Sequence, residues 1–280
     1  MVLESLFNPF VVKKKPWEMF LAGFIYSFVG LILSFMVFKE AAGLLTVFLI
    51  VMATLPLLYT TITNEEELDL KLDKEITLLK EHTKVLVFLI FLFLGIAVAL
   101  AAAYVFLPQT MVNSVFGLQQ QAIFNVNNHV QGNITQFDLF TRIFFNNLKV
   151  LFFCIVFSFL YGFGAIFILT WNASVVATAM GNLFKTEIAK GASLVGLPSL
   201  STYFSAASFS FFRYMTHGIL EMSAYFIAGL AGGIISIALI KHNLKEDKVL
   251  VDSLDLILLS LGMLLIAALV EVFITPILYL

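Results

Sequence analysis

From Val85 to Leu107 the chain carries no charged side chain and, apart from Tyr104, no polar one. A helix needs about 20 such residues to cross a bilayer core of about 30 Å. In that medium a backbone persists only if it satisfies its own hydrogen bonds. Trp17–Phe38, Ala41–Thr63, Tyr214–Ile240 and Val251–Leu280 repeat the pattern, and Ile143–Trp171 holds a further span. Charged residues make up 12% of the chain and apolar ones 61%, against about 25% charged in an average soluble domain. The fold class that follows is all-α: a polytopic integral membrane helical bundle of about seven transmembrane helices. The seventh comes from Ala192–Phe212, which is serine-rich and interrupted by Pro198, so that it reads as a span, a broken helix or a re-entrant segment.

The polar breaks divide the chain into three parts. Residues 1-63 are an N-terminal tail, interrupted by Pro9 and Pro16, and a transmembrane hairpin. Trp17 suits an interfacial anchor, Lys39-Glu40 turns the chain back at once, and Pro56 predicts a kink that neighbouring helices accommodate. Residues 64-84 are the most charged stretch. Leu68, Leu72, Ile76 and Leu79 fall at helical spacing there, and Glu67 and Lys71 form a favourable i,i+4 pair. This reads as a cytoplasmic amphipathic connector leading into the next span, either solvated or docked on a cytosolic partner. Residues 85-280 form the main membrane domain, with an amide-rich loop, 108-142, that holds Gln119-Gln120-Gln121 and almost no charge. Asn133-Ile134-Thr135 within it is a glycosylation acceptor sequence if the loop faces outward.

Short lysine-rich loops stay in the cytoplasm. Lys13–Lys15, the connector and the loop at Lys241–Lys248 carry most of the lysines. Seven spans reconcile them, with a cytoplasmic N-terminus and an outside C-terminus in the cell membrane. With six, Lys241, Lys245 and Lys248 would lie outside. The first span is of full length and lacks a small-residue cleavage pattern, so it reads as a retained helix and not a signal peptide.

A net charge of −2 lacks the basic footprint of a nucleic-acid binder. Cys154 is the only cysteine, which excludes an intrachain disulfide and a cysteine-based metal cluster. The residues that ask for a role are Arg213, His217 and Glu221, four apart and so on one helix face. A charge at the centre of a membrane helix costs about 2.5–3.5 kcal/mol, less near the interface, where long side chains snorkel. Seven spans put these residues in the outer third of their helix. Glu271 falls toward the same side in the last span, and Asn146, Asn147 and Lys149 at the outer end of the fourth. The expectation is one outer polar layer in which Glu221 pairs with His217, Arg213 or Lys149, while Gly218, Gly229, Gly232 and Gly233 let backbones approach. Such a layer is a structural clamp, a site for a small ligand, ion or proton, or an intramembrane hydrolase with Glu221 as base. A catalytic zinc needs three protein ligands. His82 and His242 fall on the cytoplasmic side and His129 in a loop, so no metal is expected. There is no Gly-x-Ser-x-Gly, and no cofactor or catalytic residue is implied.

His217-Gly218-Ile219-Leu220-Glu221, with the small-residue run from Ala224 to Gly232, resembles the stage II sporulation protein M family. So does Phe145-Asn146-Asn147-Leu148-Lys149-Val150 leading into Tyr161-Gly162-Phe163-Gly164 and a span that ends at Asn172. The family has Asn-Gly there, where this chain has Asn172-Ala173. The likeness covers Val85–Leu280, and the added hairpin with Lys15-Pro16-Trp17-Glu18-Met19-Phe20 resembles the archaeal branch. The bacterial namesake belongs to a complex that remodels the cell envelope and helps assemble or anchor its hydrolytic members. The resemblance implies a multi-pass component that works with membrane or envelope protein partners, or with further copies of itself.

Overall fold

The computed structural model describes residues 16–71, 75–128, 135–161, 164–195, 197–240 and 247–279. The tail before residue 16, Asn133 of the acceptor sequence and the lysine loop at 241–246 lie outside the described residues. The elements are α1 (Trp17–Val37), a short 3-10 turn (Lys39–Ala41), α2 (Ala42–Lys71), α3 (Glu75–Phe106), α4 (Gln109–Asn128), α5 (Gln136–Tyr161), α6 (Ala165–Val195), α7 (Leu200–Ile240) and α8 (Asp247–Leu269). A π-helical turn, Val270–Ile274, and a last α turn, Thr275–Leu278, prolong α8. No strand occurs among the described residues. Seven segments are long and apolar enough to cross a membrane: Trp17–Val37, Lys39–Leu58, His82–Phe106, Gln136–Leu160, Ala165–Ser193, Leu200–Ile240 and Val249–Leu278. The molecule is a polytopic helical membrane protein.

The count of seven agrees with the sequence, but two of the divisions do not. Ile143–Trp171 is not one span. One helix ends at Tyr161 and the next begins at Ala165, and a Cβ on Gly164 would strike the Phe157 carbonyl, so only glycine fits there. Asn172 therefore lies inside α6, where a span was expected to end. Ala192–Phe212 is not a span of its own either. Its first residues finish α6, Pro198 sits in the connection, and Leu200–Phe212 is the opening of α7. Proline has no N–H to continue a helix, whereas nothing between Phe212 and Tyr214 ends one. The amphipathic connector is helical as its spacing reads, whereas the expected loop 108-142 is also largely helical. Residues 64–71 prolong α2 and residues 75–84 open α3, while most of 108-142 forms α4 and the start of α5.

Small residues set how closely the helices pack. A Cβ on Gly23 of α1 would lie 2.5 Å from the Leu92 carbonyl oxygen of α3, and one on Gly95 of α3 would strike the Phe20 carbonyl of α1. This reciprocal contact holds the hairpin to the rest of the bundle, as small-residue faces do in membranes. Ser34 of α1 and Thr46 of α2 share a hydrogen bond of 2.6 Å. α7 runs through the middle. From Met222 to Ile234 every residue is buried, the pattern of a helix surrounded by others. On its α5 and α6 sides, a Cβ on Gly232 would lie 2.7 Å from the Ile155 carbonyl oxygen and one on Gly229 3.0 Å from Ala165 Cβ.

Candidate functional site

The polar residues of α7 meet the end of α8 in an antiparallel ladder. α7 contributes Arg213, His217 and Glu221, and the facing strip contributes Tyr279, Thr275 and Glu271, again four apart. Arg213 donates from Nη1 to the Tyr279 carbonyl at 3.3 Å and lies 5.8 Å above the Phe209 ring. Thr216 and Tyr279 join hydroxyls at 2.9 Å. His217 Nδ1 lies 3.2 Å from Thr275 Oγ1. Thr275 donates its one hydroxyl proton to the Val270 carbonyl at 3.1 Å, so the proton in the His217 contact belongs to Nδ1. On the third rung Glu221 and Glu271 are within electrostatic reach of each other. Glu221 accepts a 2.7 Å hydrogen bond from the Tyr225 hydroxyl, one turn further along α7.

Pro276 explains why α8 can supply this strip. Its ring crowds the carbonyl four residues back, and its nitrogen offers that carbonyl no proton. The helix widens over Val270–Ile274, and the Val270 carbonyl takes both the backbone N–H and the hydroxyl of Thr275. π turns are rare and recur at functional positions.

The expected outer layer is therefore assembled in part. Arg213, His217, Glu221 and Glu271 come together. Among the described residues Glu221 forms no ion pair with His217, Arg213 or Lys149: its hydrogen-bond partner is Tyr225, one turn further along its own helix. Asn147 is buried on the face of α5 that also carries Leu151, Cys154 and Ser158, and α5 packs on α7 and on the π turn. Asn146 donates to Asn147 at 3.3 Å, and Asn146 and Lys149 are exposed. Asn172 stands apart on α6, its amide nitrogen buried without a hydrogen bond among the described residues. Gly218 makes no close backbone approach, since nothing lies within 4 Å of where its Cβ would be. Among the described residues no group of three or more His, Cys, Asp or Glu could hold a metal.

Sequence reasoning missed Tyr225, Thr216, Thr275 and Tyr279. Tyr225 continues the four-residue step of Arg213, His217 and Glu221, and that step was the available signal. Also missed was Gln119 of α4, fully buried, which donates to Ser174 of α6 at 3.1 Å and which amide-rich composition alone marked only as loop.

The sequence model of the family described as Stage II sporulation protein M matches residues 84–276. These residues run from α3 to the last turn and include the whole ladder except Tyr279. No curated protein and no solved structure matches the chain.

Proposed function

Because the chain belongs to the stage II sporulation protein M family, we propose that it is a membrane scaffold, an assembly component that holds other proteins of a cell-envelope complex and catalyses no reaction itself. The observation that most supports this is the use of the ladder's side chains: Arg213, Thr216 and His217 bind the end of α8, and Glu221 binds Tyr225. The contacts of Arg213, Thr216 and His217 across to α8 fix the position of the two helices, while the Glu221–Tyr225 bond lies within α7. Residues 85-280 are the family unit; the hairpin within 1-63 and the connector 64-84 are additions available for partner contacts. The N-terminus and the loop at 241–248 face the cytoplasm, and the C-terminus faces outward. Crosslinking followed by pull-down from native membranes tests the scaffold role: it recovers a reproducible set of envelope proteins, and recovery of lipid and unselected protein alone refutes it. Orientation is tested by a cysteine at Lys245 in a Cys154→Ala background, the native thiol being buried. Reaction of that cysteine from outside the cell overturns the topology.

One observation favours a second reading, a transporter of a small solute or ion, or an intramembrane hydrolase. Glu271 has no hydrogen-bond partner among the described residues and opposes Glu221, next to the helix turn where Gly218 leaves space open. Glu221→Gln separates the two readings. Glutamine keeps an acceptor for Tyr225, so a scaffold retains its stability and its partners. Loss of a transport or hydrolytic activity at unchanged thermal stability favours the second reading.

A further inference from the structure

Glu221 of α7 stands opposite Glu271, because Arg213 meets Tyr279 and His217 meets Thr275 at the same four-residue step. The cations nearby are engaged elsewhere among the described residues. Arg213 donates to the Tyr279 carbonyl, His217 directs its Nδ1 proton to Thr275, and Lys149 is exposed on α5. The π turn adds a backbone oxygen to this rung. Thr275 sends both its N–H and its hydroxyl proton to the Val270 carbonyl. The next nitrogen along is that of Pro276, which carries no proton. The Glu271 carbonyl is therefore left without a helical donor from the two positions that normally supply one. A helix carbonyl points along the axis toward the residue one turn on, so this one lies beneath Thr275, on the side that faces α7. In hydrocarbon a backbone oxygen left in this way needs a partner. Freed carbonyls of interrupted membrane helices coordinate sodium in some transporters.

α5 supplies a further oxygen and shows where there is room. It runs antiparallel to α7: Gly232 approaches Ile155, and Gly229 approaches Ser158. Eleven residues make about three turns of helix. Asn147, eleven before Ser158, therefore faces Gly218, eleven before Gly229. Gly218 is buried, yet nothing lies within 4 Å of where its Cβ would be, so the two helices leave a space there. Asn147 is only 7% exposed. Its side chain has one hydrogen bond among the described residues, a long one of 3.3 Å accepted from Asn146. The amide oxygen keeps a second lone pair, and the amide nitrogen has no partner among the described residues. A buried amide so little engaged asks for a further partner.

We propose that the space between α5, α7 and the π turn binds an alkali-metal cation. Its ligands are the carboxylates of Glu221 and Glu271, the Glu271 backbone carbonyl and the Asn147 amide oxygen, with water completing the shell. Oxygen ligands alone suit a hard cation. The charge count selects a monovalent one. Arg213, two rungs along, sets one positive charge against the two carboxylates, which leaves one negative charge to balance. The inference rests on the second reading above, of which it names the ion, but it requires binding only and not movement across the membrane.

The test is the thermal midpoint of the full chain in detergent, in sodium chloride and in choline chloride at equal ionic strength. An ion that binds only the folded state raises the midpoint with its concentration. The wild type gains about 5 °C in saturating sodium and nothing in choline. Glu221→Gln and Glu271→Gln each lose the gain. Pro276→Ala, which offers the freed carbonyl an N–H and alters no ligand side chain, reduces it. Equal midpoints in the two salts overturn the proposal, as does a gain that survives in both glutamine variants. Where those variants fail to fold, Asn147→Ala takes their place, and equilibrium dialysis of the wild type against radioactive sodium measures binding directly; no retained ion overturns the proposal. A midpoint that follows pH but not the salt assigns the carboxylates to a proton and removes the cation. A protein that gains stability in sodium but transports no ion ends the second reading and leaves this proposal standing.

Discussion

α7 is one unbroken helix whose two halves meet different surroundings. From Met222 to Ile234 every side is covered by other helices, and glycines set the distances. From Leu200 to Glu221 only Ala206, Ser210, Met215 and Gly218 are buried, and the rest mixes exposed phenylalanines such as Phe204 and Phe212 with the partly buried Arg213 and with hydroxyls. Forty-one residues span about 60 Å at 1.5 Å each, whereas a bilayer with its headgroups is about 40–45 Å thick. The helix is therefore either strongly tilted or longer than the membrane. The covered half is governed by shape; the other half is governed by polar pairing and by what the membrane supplies.

If that division is right, the largest effect follows from changing shape in the covered half. Gly232→Leu forces a side chain toward the Ile155 carbonyl oxygen, 2.7 Å from the nearest point a Cβ could occupy. Overpacking costs about 1–3 kcal/mol and more when the obstacle cannot move. A backbone oxygen is such an obstacle, so the yield of folded protein by size-exclusion chromatography collapses. A well-folded Gly232→Leu would end the comparison. Next comes Tyr225→Phe at the boundary between the halves, which leaves the Glu221 carboxylate without its donor and lowers stability by about 1–3 kcal/mol, read as a fall in thermal midpoint. Thr275→Val removes the partner of His217 and costs about 1 kcal/mol, again by thermal melt. Smallest, and opposite in sign, is Gly218→Ala. With nothing within 4 Å of the new Cβ, alanine in a helix interior gains about 0.5–1 kcal/mol over glycine. A loss of stability there would mean that Gly218 belongs with Gly232, and the division would have to be redrawn.

The same contrast explains what could be read from the residues. Long apolar runs announce spans because lipid tolerates little else, so the helical membrane class followed directly; the count of seven agrees, but with Ala165–Ser193 as a span in place of Ala192–Phe212. Their boundaries did not. Membrane length is only a minimum, and an apolar helix such as α7 can continue past it with no change in composition. The close approach of Gly164 to the Phe157 carbonyl, which leaves no room for a Cβ, is invisible in a string of apolar letters. Arg213, His217, Glu221 and Glu271 stood out because charge is expensive in hydrocarbon. Their partners Tyr225, Thr275 and Tyr279 did not, because each is unremarkable in a membrane helix until its neighbour is known. Gly218 and Gly232 look alike in sequence, yet one faces open space and the other a carbonyl.

The π turn in α8 works as a phase adjustment. A helix advances about 100° per residue, so one residue more or fewer between Glu271 and Tyr279 turns everything beyond it by that angle. Deleting one residue from Val270–Ile274 would leave the earlier part of α8 packed as it is and swing the aligned hydroxyls away from α7. The ladder thus depends on chain length within five residues as much as on which residues those are.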